Sequence, residues 1–184
     1  MSFQDDKKKQ LGKKDISSIG FWDARIRKLC EKINKKKEYY TTSSCAGRIV
    51  LIKSSEKKQE GLFLFRSHDK ISLSQIKKEL RKIKYNYLVY FKQEPCILHV
   101  ACSSLADAQI LLDNAKFAGW KNSGIMASSS RFVLEMRSTE IMQFPILNKG
   151  KMLADDNFLK LVVKEANKKL KRTWQKIRKL ENLI

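Results

Sequence analysis

The grouping of short strand-like runs into pairs most constrains the fold of this chain. Arg48 to Ser54 (RIVLIKS) and Gly61 to Ser67 (GLFLFRS) are joined by the polar link SSEKKQ and read as a hairpin. Asn86 to Lys92 (NYLVYFK) and Cys96 to Ser103 (CILHVACS) form a second pair, divided at Pro95. Gly124 to Ser128 and Arg131 to Thr139 flank a serine turn. Within the latter, Phe132, Leu134 and Met136 alternate with Arg131, Val133, Glu135 and Arg137, so one face is buried. Met142 to Leu147 adds a strand that Pro145 places at an edge.

Helical stretches separate these groups. Trp22, Ile26, Leu29 and Ile33 repeat at helical spacing over Phe21 to Lys36. Ser72 with Gln75, and Ser104 with Asp107, carry capping patterns that open helices running to about Lys84 and Gly119. The second has Leu105, Ala108, Leu111, Leu112 and Ala115 on its apolar side. A long final helix starts near Asp155, with Phe158, Leu161, Val162, Ala166, Leu170, Trp174, Ile177 and Leu180 on one face. Residues 1–20 are charged and unpatterned, either a short helix ending near Gly12 or a basic arm. The order α, ββ, α, ββ, α, βββ, α predicts a single α+β domain over 1–184, with a mixed, largely antiparallel sheet and packed helices.

Charge narrows the partner. The chain has 39 Lys and Arg against 19 Asp and Glu, a net charge of +20. Hydrophobic residues make up 42%, enough for a core, so the excess is carried on a folded surface. It points to a polyanion, nucleic acid first and an anionic membrane surface second. No signal peptide and no run of ~18 apolar residues is present, so a soluble cytoplasmic protein is expected. Cys30, Cys45, Cys96 and Cys102 form no CxxC pair, and His68 and His99 are the only histidines. Buried free thiols and no metal site are expected. Lys164, Lys168, Lys169, Lys171, Arg172, Lys176, Arg178 and Lys179 give the last helix a basic face suited to phosphate contacts, or simply a solvated one. Tyr39, Tyr40, Trp120 and Trp174 are candidates for base stacking, although Trp174 lies on the apolar stripe and suits a core.

The stretch TTSSCAGR, Thr41 to Arg48, reads as a loop between helix and sheet. Its small residues allow a sharp turn with inward N–H groups, Gly47 permits close approach, and Arg48 offers a planar fork for a carboxylate or phosphate. It is either a small anion-recognition nest or an ordinary serine- and threonine-rich connection. His68, beside Ser67 and Asp69, ends a strand and is either a site residue or part of a surface turn. His99 has apolar strand neighbours and is either a satisfied core histidine or a hydrogen-bonding group in a cleft. Ser123 and Gly124 follow a helix exit at Gly119, where they either present a hydroxyl and an N–H to a ligand or complete a turn.

These motifs resemble, in order, those of the tRNA wybutosine-synthesizing protein 3 family. YYTTSSCAGRI looks like the family's tyrosine-led TTSSCSGRI, with Ala46 where the family usually has serine. FLFRSHD resembles its strand ending in a Ser-His pair. PCILHVACSSLADAQILLDNAKFAGWKNSGI is similar to its central block. VLEMRST and LVVKEANKKLKRTWQKIRKL resemble its C-terminal region. The matches run from Trp22 to Leu180.

The resemblance implies an S-adenosylmethionine-dependent methyltransferase acting on N4 of aminocarboxypropylated demethylwyosine, 3′ of the anticodon in tRNA-Phe. It also implies a fold that is not a Rossmann methyltransferase, in keeping with the scattered glycines. Arg48 and the loop N–H groups are then expected at the cofactor carboxylate, with Cys45, Gly47, Ser67, Ser123 and Gly124 nearby. His68 or His99 would be the base, with Ser43, Ser44 or Ser123 orienting the ring. Tyr39, Thr42, Glu135, Arg137, Lys168 and Arg172 are expected to contact the tRNA anticodon stem-loop. A non-catalytic basic RNA-binding module, or a nucleic-acid coating protein, is the alternative.

Overall fold

A computed structural model of the chain describes residues 2–13, 23–55, 61–83, 86–128 and 131–184. In chain order the first elements are α1 (Phe3–Leu11), α2 (Ala24–Lys35), β1 (Tyr39–Cys45), β2 (Arg48–Lys53), β3 (Phe63–Ser67), α3 (Leu73–Lys82) and β4 (Leu88–Glu94). There follow β5 (Ile97–Cys102), α4 (Leu105–Phe117), β6 (Gly124–Ser128), β7 (Arg131–Arg137), β8 (Met142–Asn148), β9 (Lys151–Met152) and α5 (Asp156–Leu183).

The fold is α+β, and every strand pair among the described residues is antiparallel. That excludes the doubly wound parallel sheet of a Rossmann domain. The strands divide into two sheets rather than one, ordered β1-β5-β7-β6 and β3-β2-β4-β8-β9. The chain correspondingly forms two compact units. The first comprises Met1–Ala46, Cys96–Thr139 and Thr173–Ile184, the second Gly47–Pro95 and Glu140–Arg172.

Local chemistry explains most boundaries. Ser2 and Asp5 form a reciprocal capping box for α1, which ends at Gly12, so the short helix is the alternative realised. Asp23 caps α2 by accepting the Arg25 N–H, and Ile26, Leu29, Cys30 and Ile33 are buried. Phe21 and Trp22 lie outside the described residues. Ser72 and Ser104 accept the N–H groups of Gln75 and Asp107. Helix α4 closes in a Schellman arrangement. Trp120 N–H reaches Ala115 O, Gly119 N–H reaches Lys116 O, and Gly119 takes the left-handed φ of 94°.

The first unit buries one sheet face, with Leu98, Val100, Leu134 and Met136 inaccessible. Helices α2 and α4 pack on that face. Tyr39 Oη donates to Asp107 O on α4 across 3.0 Å, and the Trp120 indole donates to Lys176 O. The opposite face carries Ser43, His99, Glu135 and Arg137, and α1 covers only its Tyr40 end, where the Phe3 and Tyr40 rings are 5.1 Å apart. In the second unit Phe91 stacks on Phe144, which meets Phe158 of α5 edge-on. The Asn167 amide on α5 satisfies both backbone groups of Ile71. Each fully buried Ile, Leu or Phe contributes roughly 1.5–3 kcal/mol.

Four sequence expectations need correction. Tyr39–Cys45 is a strand, not a loop: tyrosine and threonine favour pleated backbone, and the segment pairs with β5 along its length. Only Ala46–Gly47 turns, with Gly47 at φ 89°. On α4, Leu105 is exposed and off the apolar side, whereas Ala108, Leu111, Leu112 and Ala115 are buried. On α5 the buried stripe begins at Leu159, Val162 and Val163, so Leu161 is exposed and Phe158 stays largely exposed while its ring meets Phe144. Finally, β8 is not the outermost strand, because β9 pairs with its Leu147 and Asn148. That pairing stops short of Pro145, which has β4 on one side only, at a shift in register.

Candidate active site

A cross-strand row on the first unit's sheet brings together residues that the sequence carries on separate motifs. Ser43 lies opposite His99, His99 opposite Glu135, and Glu135 opposite Gly124. Ser43 Oγ is 2.6 Å from His99 Nδ1, and His99 Nε2 is 2.8 Å from Glu135 Oε2. The His99 and Glu135 side chains are 24% and 30% exposed, so the row is reachable from solvent. Arg137, two residues along β7, holds Nη1 3.9 Å from Glu135 Oε1. Gly124 ends the row with nothing within 4 Å of the place a Cβ would take.

A β-bulge builds this row. An unbroken ladder from Thr41↔Val100 would set Thr42 opposite His99 and turn Ser43 toward Leu98. The register shift between Thr41 and Ser43 inserts Thr42, so Ser43 faces His99 and Ser44 faces Leu98. Thr42 Oγ1 reaches only the His99 carbonyl, at 3.4 Å. Asn34 of α2 pins the strand just before the bulge through both the N–H and the hydroxyl of Thr41.

Several expected site residues serve the fold instead. Ser44 hydrogen-bonds the Cys30 thiol on the helix-covered face, away from the row. Ser123 Oγ donates to Trp120 O and accepts the Arg137 N–H, closing the turn into β6. Ser67 Oγ bonds within its own turn, to the carbonyl and N–H of Asp69. The four stacking candidates Tyr39, Tyr40, Trp120 and Trp174 are all buried, which withdraws their faces from an RNA base. Trp174 is also covered by the Arg25 guanidinium, 3.6 Å from its ring centroid. Burial pushes the Cys30 and Cys102 thiols and the Tyr39 phenol up to about 12, so none of them supplies a base near neutral pH. Cys45 ends β1 half-buried, one residue before the turn.

In the second unit Arg48 is not a lone fork. Its Nε pairs with Glu94 Oε2 at 2.5 Å, from the opposite position on β4, and both side chains are about a quarter exposed. The Phe63 ring lies 4.8 Å from the Arg48 guanidinium and 4.3 Å from that of Arg66. Sequence reading misses Glu94, which only the β2–β4 register sets opposite Arg48, and Phe63, which pairs with Ile52 and reaches Arg48 through its ring. His68 follows β3, half-buried. Lys168 and Arg172 are exposed on α5, with Lys168 Nζ 3.7 Å from Glu165. Among the described residues no cluster of three or more His, Cys, Asp or Glu could hold a metal ion, and no helix is long and apolar enough to cross a membrane.

Comparison with known proteins identifies the framework. The model of the family described as methyltransferase TYW3 matches residues 5–184. The chain belongs to this family. It is 35% identical to a protein of Thermococcus sibiricus, over all of this chain and 94% of that one. That relative is named tRNA(Phe) 7-((3-amino-3-carboxypropyl)-4-demethylwyosine(37)-N(4))-methyltransferase. A tRNA wybutosine-synthesizing protein 3 homolog of Danio rerio is 32% identical over all of this chain and 74% of its own length. The structure of PH1069 protein from Pyrococcus horikoshii superposes with a TM-score of 0.88 at 29% identity, covering 99% of this chain and 95% of that one. A methyltransferase needs a methyl donor and an acceptor. Among the described residues of this TYW3 chain, the first unit carries the partly exposed polar row and the second carries the partly exposed Arg48–Glu94 pair.

Proposed function

We propose that this chain transfers a methyl group from S-adenosylmethionine to N4 of 7-aminocarboxypropyl-demethylwyosine at position 37 of tRNA-Phe, in the cytoplasm. The observation that carries the reading is the Ser43–His99–Glu135 row in a chain of the methyltransferase TYW3 family. A ring nitrogen that gains a methyl group must lose its proton, and a partly exposed imidazole oriented by a carboxylate is suited to take it. Residues 1–184 would act as one catalytic domain.

The second unit suits the methyl donor. The methionine end of S-adenosylmethionine is a zwitterion, and the partly exposed Arg48–Glu94 pair offers one group of each sign. Arg48 would hold the carboxylate and Glu94 the ammonium, each by a charge-assisted hydrogen bond. When bound, the cofactor supplies a methyl group made electrophilic by its sulfonium. Gly47, at positive φ, sets the direction in which β2 and Arg48 leave the turn. Arg137 would border the modified base, and the exposed Lys164, Lys168 and Arg172 of α5 would meet the phosphates of the anticodon stem-loop.

The test is methylation in vitro. Purified protein is incubated with labelled S-adenosylmethionine and with tRNA-Phe carrying the demethylwyosine precursor, and the nucleosides are read by mass spectrometry. One added methyl group on the tricyclic base is expected. Tight tRNA binding with no methyl transfer and no S-adenosylmethionine binding would make the chain a binding module instead.

A further inference from the structure

Both ring nitrogens of His99 are engaged. A carboxylate only accepts hydrogen bonds, so Nε2 carries the hydrogen that Glu135 Oε2 receives. Nδ1 then presents its lone pair and accepts the Ser43 hydroxyl hydrogen. Neither nitrogen is left to meet a substrate, whereas Ser43 is exposed at the open end of the row. The bulge at Thr41–Ser43 bears on this point, because it replaces the threonine of an unbroken ladder with Ser43 opposite His99.

Resting on the methyltransferase reading above, we propose that Ser43, His99 and Glu135 form a proton relay. The Ser43 hydroxyl takes the proton from the ring nitrogen being methylated, and Glu135 is a positioning residue that fixes the His99 tautomer. As the N–CH3 bond forms, the S–CH3 bond of the donor breaks and its electron pair stays on sulfur. The ring N–H bond gives its proton to Ser43 Oγ while the Ser43 hydrogen passes to His99 Nδ1, so no alkoxide forms. The sulfonium becomes a neutral thioether, and its positive charge ends on the imidazolium beside Glu135. Arg137, near the other Glu135 oxygen, keeps that carboxylate oriented along β7. Glu135 thus acts through His99 and does not touch the RNA.

The experiment is steady-state methylation of precursor tRNA-Phe by wild type and five variants, with thermal melts as a folding control. A wild type that methylates nothing defeats the underlying reading, whatever the variants do. Given an active wild type, Glu135→Gln and Ser43→Ala should each lower kcat by ~10²-fold, with KM for tRNA and affinity for S-adenosylmethionine held. Glu135→Asp and Ser43→Thr should recover part of the loss, since each restores the missing group. The double variant Ser43→Ala/Glu135→Gln should be no slower than the slower single, as expected of one chain of transfer. Undiminished kcat in Glu135→Gln overturns the positioning role, and a raised KM there makes Glu135 an RNA contact. Undiminished kcat in Ser43→Ala shows that His99 meets the substrate directly and overturns the relay.

Discussion

The two sheets have the same antiparallel plan, yet they use their polar positions differently. In the first unit, one residue from each of β1, β5 and β7 forms a line of hydrogen bonds ending in a single carboxylate. In the second, β2 and β4 set a cation against an anion, and Arg48 and Arg66 flank the Phe63 ring. A line of hydrogen bonds through imidazole can pass a proton, whereas an ion pair beside an aromatic ring can only hold charge and shape. The proposed function assigns proton transfer to the first kind of group and donor recognition to the second.

The largest effect should come from the centre of the first row. His99→Ala removes the proposed proton acceptor and should cut methylation by ~10²–10⁴-fold while S-adenosylmethionine still binds. A parallel calorimetric titration separates the two, and loss of donor binding in His99→Ala would break the proposed division. Arg48→Ala should give the reverse signature, weakening S-adenosylmethionine binding about tenfold or more, because charge-assisted hydrogen bonds contribute roughly 1.5–3 kcal/mol. Glu94→Gln should weaken it too, by removing the partner of the ammonium. If both leave the titration unchanged, the pair serves only to join β2 to β4.

This division is half legible in the sequence. His99 and Glu135 stand out because polar residues interrupt apolar runs, and Arg48 because it opens one after a glycine. Their partners do not, because pairing depends on register and the decisive register contains a bulge. One inserted residue sends Ser43 to His99 and Ser44 to Cys30, and nothing in the letters TTSS marks which hydroxyl goes where. The same residues read as a loop because four small polar side chains imitate turn composition, although pairing with β5 decides their conformation. Helix starts are easier: Ser72 and Ser104 cap through contacts only three residues long, which a sequence carries intact. The aromatic residues fail as stacking candidates for a global reason, since burial depends on which helix covers which face.

A smaller effect should separate RNA binding from chemistry along α5. Lys164, Lys168 and Arg172 are exposed on its second-unit portion. Replacing all three by glutamine should weaken tRNA binding and flatten its dependence on salt, by roughly 0.7–0.9 in log–log slope for each phosphate no longer neutralised. Filter binding over a salt series measures this. An unchanged slope would leave these side chains as a solvated face.

The smallest effect compares a helix cap from each unit. Ser72→Ala and Ser104→Ala should each cost about 1 kcal/mol in urea unfolding, the usual loss when a serine N-cap is removed. They should not cost the same. Ser72 Oγ accepts the Gln75 N–H and shares a hydrogen bond with the Ser74 hydroxyl, whereas Ser104 Oγ accepts the Asp107 N–H and donates to the Asp107 carboxylate, which takes a further bond from Ser103. Those hydroxyl bonds, Ser103 first, hold the Asp107 carboxyl below its ordinary value. A group whose folded pKa is depressed stabilises the fold above its unfolded pKa and loses that contribution as pH falls through the folded one. The extra penalty of Ser104→Ala should therefore be present at neutral pH and shrink toward that of Ser72→Ala as acid protonates Asp107. Equal penalties at neutral pH would mean that a hydroxyl bond to the Asp107 carboxylate gives α4 no more anchorage than the neutral Ser72–Ser74 bond gives α3.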